Sequence, residues 1–170
     1  MALNTYIQLC TASNVWANSQ LCKVALEMDL DEFERERVSS FTSIKKTFLH
    51  LWDAEYIWLT RLQDEPLGEV PGKFFSGTRE KLLNQFLETS VAFDEFASCL
   101  DILTLEKVME YKTLNGEPCR NKMFESILHC MNHSTYHRGQ LVTLFRQAGI
   151  TSLPATDLIQ FVRNRQLKKH

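Results

Sequence analysis

The sequence predicts an all-α protein built as a four-helix bundle with a short C-terminal helix. Only four prolines and six glycines interrupt its 170 residues. Four long segments carry apolar residues at helical intervals. The hydrophobic content of 44% is ordinary for a globular chain. This length suits one domain, which we expect to span residues 1–170.

The first two helices are predicted from their apolar periodicity. The first spans about residues 5–28 and is followed by an acidic stretch, 29–36, which we expect to be a connector. The second spans about residues 42–62, with Ser39 or Ser40 as its N-cap. Its main apolar stripe comprises Phe41, Ile44, Phe48, Leu51, Leu59 and Leu62.

The remaining helices follow from breaker residues and periodicity. Residues 64–77 are rich in proline and glycine and are predicted to form a long loop. A third helix is expected over residues 78–100, and a fourth over 121–147, ending at Gly149. Residues 154–157 are expected to open the short final helix.

Residues 105–119 admit two interpretations. Alternating apolar residues around the Asn115-Gly116 pair favour two short strands, because Asn-Gly is a strong hairpin-turn signal. A helix that ends at this pair fits the same residues equally well.

Charge and hydropathy exclude several classes of protein. A net charge of −2 without a basic stretch argues against binding to nucleic acid. No apolar run approaches the roughly 18–20 residues that span a bilayer, so we expect no membrane segment. The N-terminus lacks the features of a secretory signal, and the five cysteines are scattered without a CxxC pair. These features predict a reducing, cytoplasmic setting.

The most informative motif is the run from His129 to His137. His129, His133 and His137 are spaced four residues apart, so successive rings lie about one helical turn apart along the axis. On a helical wheel, His133 and His137 lie at the edge of the buried face, whereas His129 is turned further toward solvent. The spacing therefore favours His133 and His137 as a pair of metal ligands.

A third ligand has to come from another helix. The only other internal histidine is His50, on the flank of the second predicted helix. Three imidazoles plus an open position form a common catalytic arrangement for zinc that also suits nickel or iron. Each histidine alone also fits an ordinary packing or surface residue. No HExxH or Glu-x-x-His motif occurs, which argues against gluzincins and ferritin-like di-iron proteins.

Several neighbours are candidates for a role beside this site. Asp53 could orient a ligand, although a solvated helix face is favoured for it. Arg138 could pair with a carboxylate at a helix crossing or contact an anionic substrate. Trp16 could line a pocket or pack in the core. Cys130 could add a soft ligand, but a buried packing role is favoured.

The chain resembles the DinB family, also described as DinB/YfiT-like metalloenzymes. The most specific marker is the string Asn-His-x-x-x-His-Arg-Gly-Gln at 132–140. The other markers are Trp16-Ala17-Asn18, Ser43-Ile44, Leu49-His50-Leu51-Trp52-Asp53-Ala54-Glu55, Trp58 and Pro154-Ala155-Thr156-Asp157-Leu158.

The resemblance implies both a fold and a chemistry. It implies an up-down-down-up bundle, with a divalent metal bound by His50, His133 and His137, and the helical wheel places His129 at the rim of this site. Zinc or nickel is favoured, and iron is a further candidate. The resemblance also implies that the protein transfers a low-molecular-weight thiol, such as bacillithiol or mycothiol, to small electrophiles. It further implies a homodimer. Metal-dependent hydrolysis and a non-catalytic stress protein that binds a metal or ligand remain alternatives.

Overall fold

The computed structural model describes residues 2–167, and within that range it contains eight helices and one β-hairpin. None of these helices combines the length and apolar character needed to cross a bilayer. The elements in chain order are α1 (Leu3–Glu27), α2 (Leu30–Glu34), α3 (Ile44–Leu62), α4 (Pro71–Phe74), α5 (Arg79–Ser98), α6 (Ile102–Leu105), β1 (Val108–Lys112), β2 (Pro118–Lys122), α7 (Met123–Gln147) and α8 (Leu158–Leu167).

The four long helices α1, α3, α5 and α7 form the predicted bundle. Helix α1 packs against α5 and α7, and α3 packs against the same two helices, so α1 and α3 lie diagonally across the bundle. The helices predicted to carry the histidines, α3 and α7, are therefore direct neighbours.

Two apolar clusters occupy opposite ends of this bundle. The Phe48 core contains Leu21, Cys22, Ala25, Phe33, Ile44, Phe48, Leu51, Trp52, Leu82, Leu83, Phe86, Leu141, Leu144 and Phe145. The Phe93 core contains Ile7, Leu59, Leu62, Phe93, Ala97, Leu105, Ile127, Cys130 and Met131. Along the chain, α1 and α7 run from the Phe93 core to the Phe48 core, whereas α3 and α5 run the other way. The up-down-down-up topology is thus confirmed.

A polar layer separates the two cores, and its centre is Glu55, which is 0% exposed. Three donors reach its Oε1 atom: Asn14 Nδ2 at 2.7 Å, Asn18 Nδ2 at 2.9 Å and Ser134 Oγ at 3.2 Å. Ser90 Oγ donates to Oε2 at 2.5 Å. All four long helices therefore contribute a side chain to one buried carboxylate.

Arg138 completes this layer from α7. Its guanidinium donates to Oδ1 of Asn14, to Oδ1 of Asn18 at 3.0 Å and to Thr135 Oγ1 at 2.8 Å. The two amides thus stand between the guanidinium and the carboxylate. Burial lowers the pKa of Arg138 to about 10, and the charge of Glu55 opposes that change. We call Asn14, Asn18, Glu55, Ser90, Ser134 and Arg138 the Glu55 layer.

The helix boundaries correct two predictions about the segment between α1 and α3. Ser43 caps α3, because its Oγ accepts the Lys46 N–H at 3.1 Å, so neither Ser39 nor Ser40 is the cap. The predicted connector contains the short helix α2, because Asp29 accepts the N–H groups that begin it.

The other connections also contain short structures. The predicted loop 64–77 includes the single turn α4. Of the two interpretations of residues 105–119, the hairpin is correct, with Val108 opposite Lys122 at one end of the antiparallel pair. Its second strand, β2, extends beyond residue 119, where the predicted segment ends, and α7 begins directly after β2. Arg61 Nη2 donates to the Lys112 carbonyl at 2.8 Å and ties the hairpin to α3.

We predict that the Glu55→Gln substitution lowers the free energy of unfolding by at least about 3 kcal/mol, because it leaves Arg138 without a buried counter-charge. It also places an amide N–H₂ against donors. Chemical denaturation measures the effect, and Glu88→Gln on the exposed face of α5 is the matched control, expected to change stability by about 0.5 kcal/mol or less. Equal losses in both variants would contradict a central role for Glu55.

Candidate metal centre

Three histidine rings converge between α3 and α7. His50 Nε2 lies 3.0 Å from His133 Nε2 and 3.2 Å from His137 Nε2. The candidate ligand atoms of all three lie within 4.8 Å of one another. The structure therefore brings together the two histidines of the HxxxH pair and the one distant histidine, as the sequence predicted.

The ring of His137 is oriented by Gln140, one helical turn further along α7. His137 Nδ1 lies 2.8 Å from Gln140 Oε1. Since a carbonyl oxygen only accepts hydrogen bonds, Nδ1 carries the proton and Nε2 keeps its lone pair. Gln140 Nε2 in turn donates to Ser40 Oγ at 3.2 Å. Gln140 is not among the predicted site residues, although its i+3 spacing from His137 is a readable signal.

The ring of His50 is held by Phe41. The two rings stack with centroids 3.9 Å apart and planes 20° apart. Phe41 also meets His137 edge-on at 5.4 Å. The prediction that Phe41 belongs to the apolar stripe of the second helix is wrong. Phe41 precedes α3 and is only half-buried, because it covers the histidines instead of entering the core.

The surroundings keep two of the rings neutral. Burial lowers the pKa of His50 to about 4, and the nearby His137 adds to the effect. Burial also lowers the pKa of His133 to about 4, with smaller contributions from His137, His50 and His129. Neutral imidazoles are the form that binds a metal ion.

The donor set fits a divalent ion. Nitrogen atoms around tetrahedral zinc stand about 3.3 Å apart, given a zinc–nitrogen distance near 2.0–2.1 Å. The separations of 3.0 and 3.2 Å are close to that value. Lone pairs that face each other at this distance repel unless a cation or a proton lies between them. These three residues could therefore hold a metal ion.

Of the predicted neighbours, His129 lies closest to this arrangement. Its side chain is exposed, as the helical wheel indicated, and its ring centroid is 6.2 Å from that of His133. Its other neighbour is Trp58, at 5.1 Å. Arg138 points to the opposite face of α7, into the Glu55 layer.

Asp53, Trp16 and Cys130 have their described contacts elsewhere. The Asp53 carboxylate accepts the backbone N–H of Gly72 at 2.6 Å and so anchors α4 to α3. Trp16 packs against Phe161 of α8, with ring centroids 5.7 Å apart. Cys130 is 0% exposed within the Phe93 core, and burial raises the pKa of its thiol.

Together these features define a four-helix bundle with a three-histidine candidate metal site between two neighbouring helices. The family model of the DinB family matches residues 1–166. The chain belongs to the DinB family.

Known relatives agree with this assignment. Protein DinB of Bacillus subtilis (strain 168) is 26% identical over 148 residues, which cover 83% of this chain and 85% of that protein. A DinB-like protein of Bacillus cereus has a similar crystal structure, with a TM-score of 0.62 and 20% identity over 82% of this chain and 89% of that one. For a DinB-like protein of Bacillus subtilis the TM-score is 0.65, with 15% identity over 87% and 96% of the two chains. These similarities in structure support the fold.

We predict that the metal-free protein loses stability as the pH falls from about 6.5 to about 4. The folded pKa values of His50 and His133 lie near 4, below the ordinary 6.5, so the unfolded chain binds more protons in this range. Thermal unfolding across this range tests the prediction. The decline should be smaller in the double variant His50→Asn/His133→Asn and should persist in His129→Asn. If the stability of the double variant declined as much as that of the parent protein, His50 and His133 would not be the groups whose protonation destabilises the fold.

Proposed function

We propose that His50, His133 and His137 bind one divalent metal ion and that the protein is an enzyme transferring a low-molecular-weight thiol to small electrophiles. The observation that carries the proposal is the convergence of three Nε2 atoms, with spacings of 3.0 and 3.2 Å. Three imidazole nitrogen donors favour zinc or nickel and also accept iron.

The proposed reaction needs an activated thiol. When bound, a divalent ion with an open position supplies the Lewis acidity that lowers the pKa of a thiol there. The thiol sulfur forms a bond to an electrophilic carbon, the leaving group departs with the bonding electron pair, and the thiol proton passes to solvent. The chain's own residues hold and orient the ligands: Gln140 fixes the ring of His137, and Phe41 supports the ring of His50.

An external thiol is favoured over the two buried cysteines of the bundle, Cys22 and Cys130. Cys130 is the cysteine nearest to the HxxxH pair in sequence, yet its side chain is fully buried in the Phe93 core. Cys22 lies in the Phe48 core. Burial raises the pKa of both thiols, which keeps them protonated and unreactive. A thiol nucleophile would therefore enter as a second substrate.

Thiol transfer is favoured over hydrolysis by the composition of the centre. Within residues 2–167, the one cluster of histidine, cysteine and acidic side chains with metal-binding spacing contains three histidines and no carboxylate. A metal-dependent hydrolase commonly uses a carboxylate as general base beside the activated water. The two nearby carboxylates along α3 are engaged elsewhere, Asp53 with α4 and Glu55 in the buried layer.

The setting and assembly of the protein are part of the proposal. The five cysteines are unpaired, which supports a reducing, cytoplasmic compartment. We propose a homodimer on the basis of family resemblance, and light scattering during size-exclusion chromatography would determine the mass in solution.

The proposed site leads to a prediction about metal content. Protein purified without a histidine tag should retain about one divalent ion per chain, since three ligands fix one ion. The variants His50→Ala, His133→Ala and His137→Ala should lose it, each by removal of one Nε2 donor. His129→Ala is the matched control on α7 and should retain the ion. Elemental analysis by mass spectrometry measures all of them, and undiminished metal in His133→Ala would overturn the site.

The proposed function also leads to a prediction about turnover. The metal-loaded protein should convert 1-chloro-2,4-dinitrobenzene only when a thiol such as bacillithiol, mycothiol or cysteine is added, and His133→Ala should reduce the rate to the uncatalysed background. Formation of the thioether product is followed by its absorbance. Ester hydrolysis without added thiol would favour the hydrolase. Metal binding with no turnover of either kind would favour a non-catalytic binding protein.

A further inference from the structure

A cleft of about 300 Å³ opens beside the candidate metal centre, between α3, the hairpin and the start of α7. This volume lies at the lower end of the range for small-molecule sites. The residues that line the cleft are Trp58, Tyr111, Asn121, Glu125, Ser126 and His129.

The walls of the cleft are aromatic and held in place. The rings of Trp58 and Tyr111 meet nearly at right angles, with centroids 5.3 Å apart. Arg61 lies over both rings, 4.9 Å from the centroid of Trp58 and 4.7 Å from that of Tyr111. Its hydrogen bond to the Lys112 carbonyl holds the hairpin against α3. Because the walls are already fixed, a bound ring would not have to order them.

The cleft also contains a buried polar group without a partner. Ser126 is 2% exposed, and within residues 2–167 its Oγ makes no hydrogen bond. Most buried hydroxyl groups in proteins are hydrogen-bonded, so a hydroxyl with no acceptor among these residues can donate to a bound ligand. The Glu125 carboxylate in the same lining disfavours an anionic ligand, and the Arg61 guanidinium over the two wall rings disfavours a cationic one, which leaves an uncharged ligand.

His129 connects this cleft to the candidate metal centre. Its ring lies 5.1 Å from that of Trp58 in the cleft and 6.2 Å from that of His133. A molecule that fills the cleft would therefore contact His129, whose ring is next to that of His133.

We infer that this cleft binds the aromatic part of the electrophilic substrate, a small uncharged molecule with one aromatic ring and one hydrogen-bond acceptor. The ring lies against Trp58 and Tyr111, and the acceptor takes the hydrogen bond of the Ser126 hydroxyl. The inference rests on the proposed function only for the direction in which the reactive end of the substrate points. Occupation of the cleft is independent of the metal.

The test uses benzyl alcohol as the probe and cyclohexylmethanol, which has a similar size but no aromatic ring, as its matched control. In two-dimensional NMR, benzyl alcohol should shift the Trp58 indole N–H signal and the backbone signals of Asn121 and Ser126, and cyclohexylmethanol should do so more weakly. Ser126→Ala should weaken binding of benzyl alcohol by about tenfold, the value of one hydrogen bond. Its melting temperature should not fall, because the hydroxyl has no partner among residues 2–167.

Thr143→Ala, which changes a hydroxyl of α7 beside a different cleft, should bind benzyl alcohol like the parent protein. The absence of shifts at the cleft at millimolar probe, or equal affinities of the Ser126→Ala and Thr143→Ala variants, would overturn the inference. The metal-free variant His133→Ala should still bind the probe. If the parent protein bound no metal but still bound benzyl alcohol, the proposed function would be refuted and the inference about the cleft would stand.

Discussion

The bundle depends on the buried carboxylate of Glu55. A charge without water is stable only when donors surround it, and here those donors come from α1, α5 and α7. Each helix therefore has one rotation and one axial position that satisfies the carboxylate. Apolar packing alone tolerates sliding of one helix past another, whereas this layer does not. The Glu55 layer sets the register in which the two apolar cores form.

The same register determines where the histidines point. Ser134 and Arg138 follow His133 and His137 directly in α7, and each step along a helix turns the side chain by about 100°. When the serine and arginine face the Glu55 layer, the two histidines face the side on which α3 presents His50. The centre is thus prepared by polar contacts that lie outside it, which is how supporting residues commonly orient ligands.

The sequence predicted what depends on local spacing and missed what depends on contacts between helices. The HxxxH pair and the four long helices follow from periodicity within one segment. Glu55 occupies a core position between Leu51 and Leu59, and an acidic residue there was a readable sign of a buried polar layer. Its partners, however, come from distant segments. The hairpin was undecided for the same reason, since Tyr111 is held by Trp58 and Arg61 of α3.

The distance between the histidines along the chain bears on the order of folding. His50 and His133 are 83 residues apart, so closing that span costs chain entropy before any contact between them can form. In the unfolded chain only His133 and His137 remain close to each other, because they are four residues apart, and two ligands bind an ion weakly. A complete three-nitrogen set exists only after α3 has docked on α7. Tight binding of an ion would therefore require that α3 has docked on α7, and chains that stall before this step would be distinguished by their failure to retain the ion.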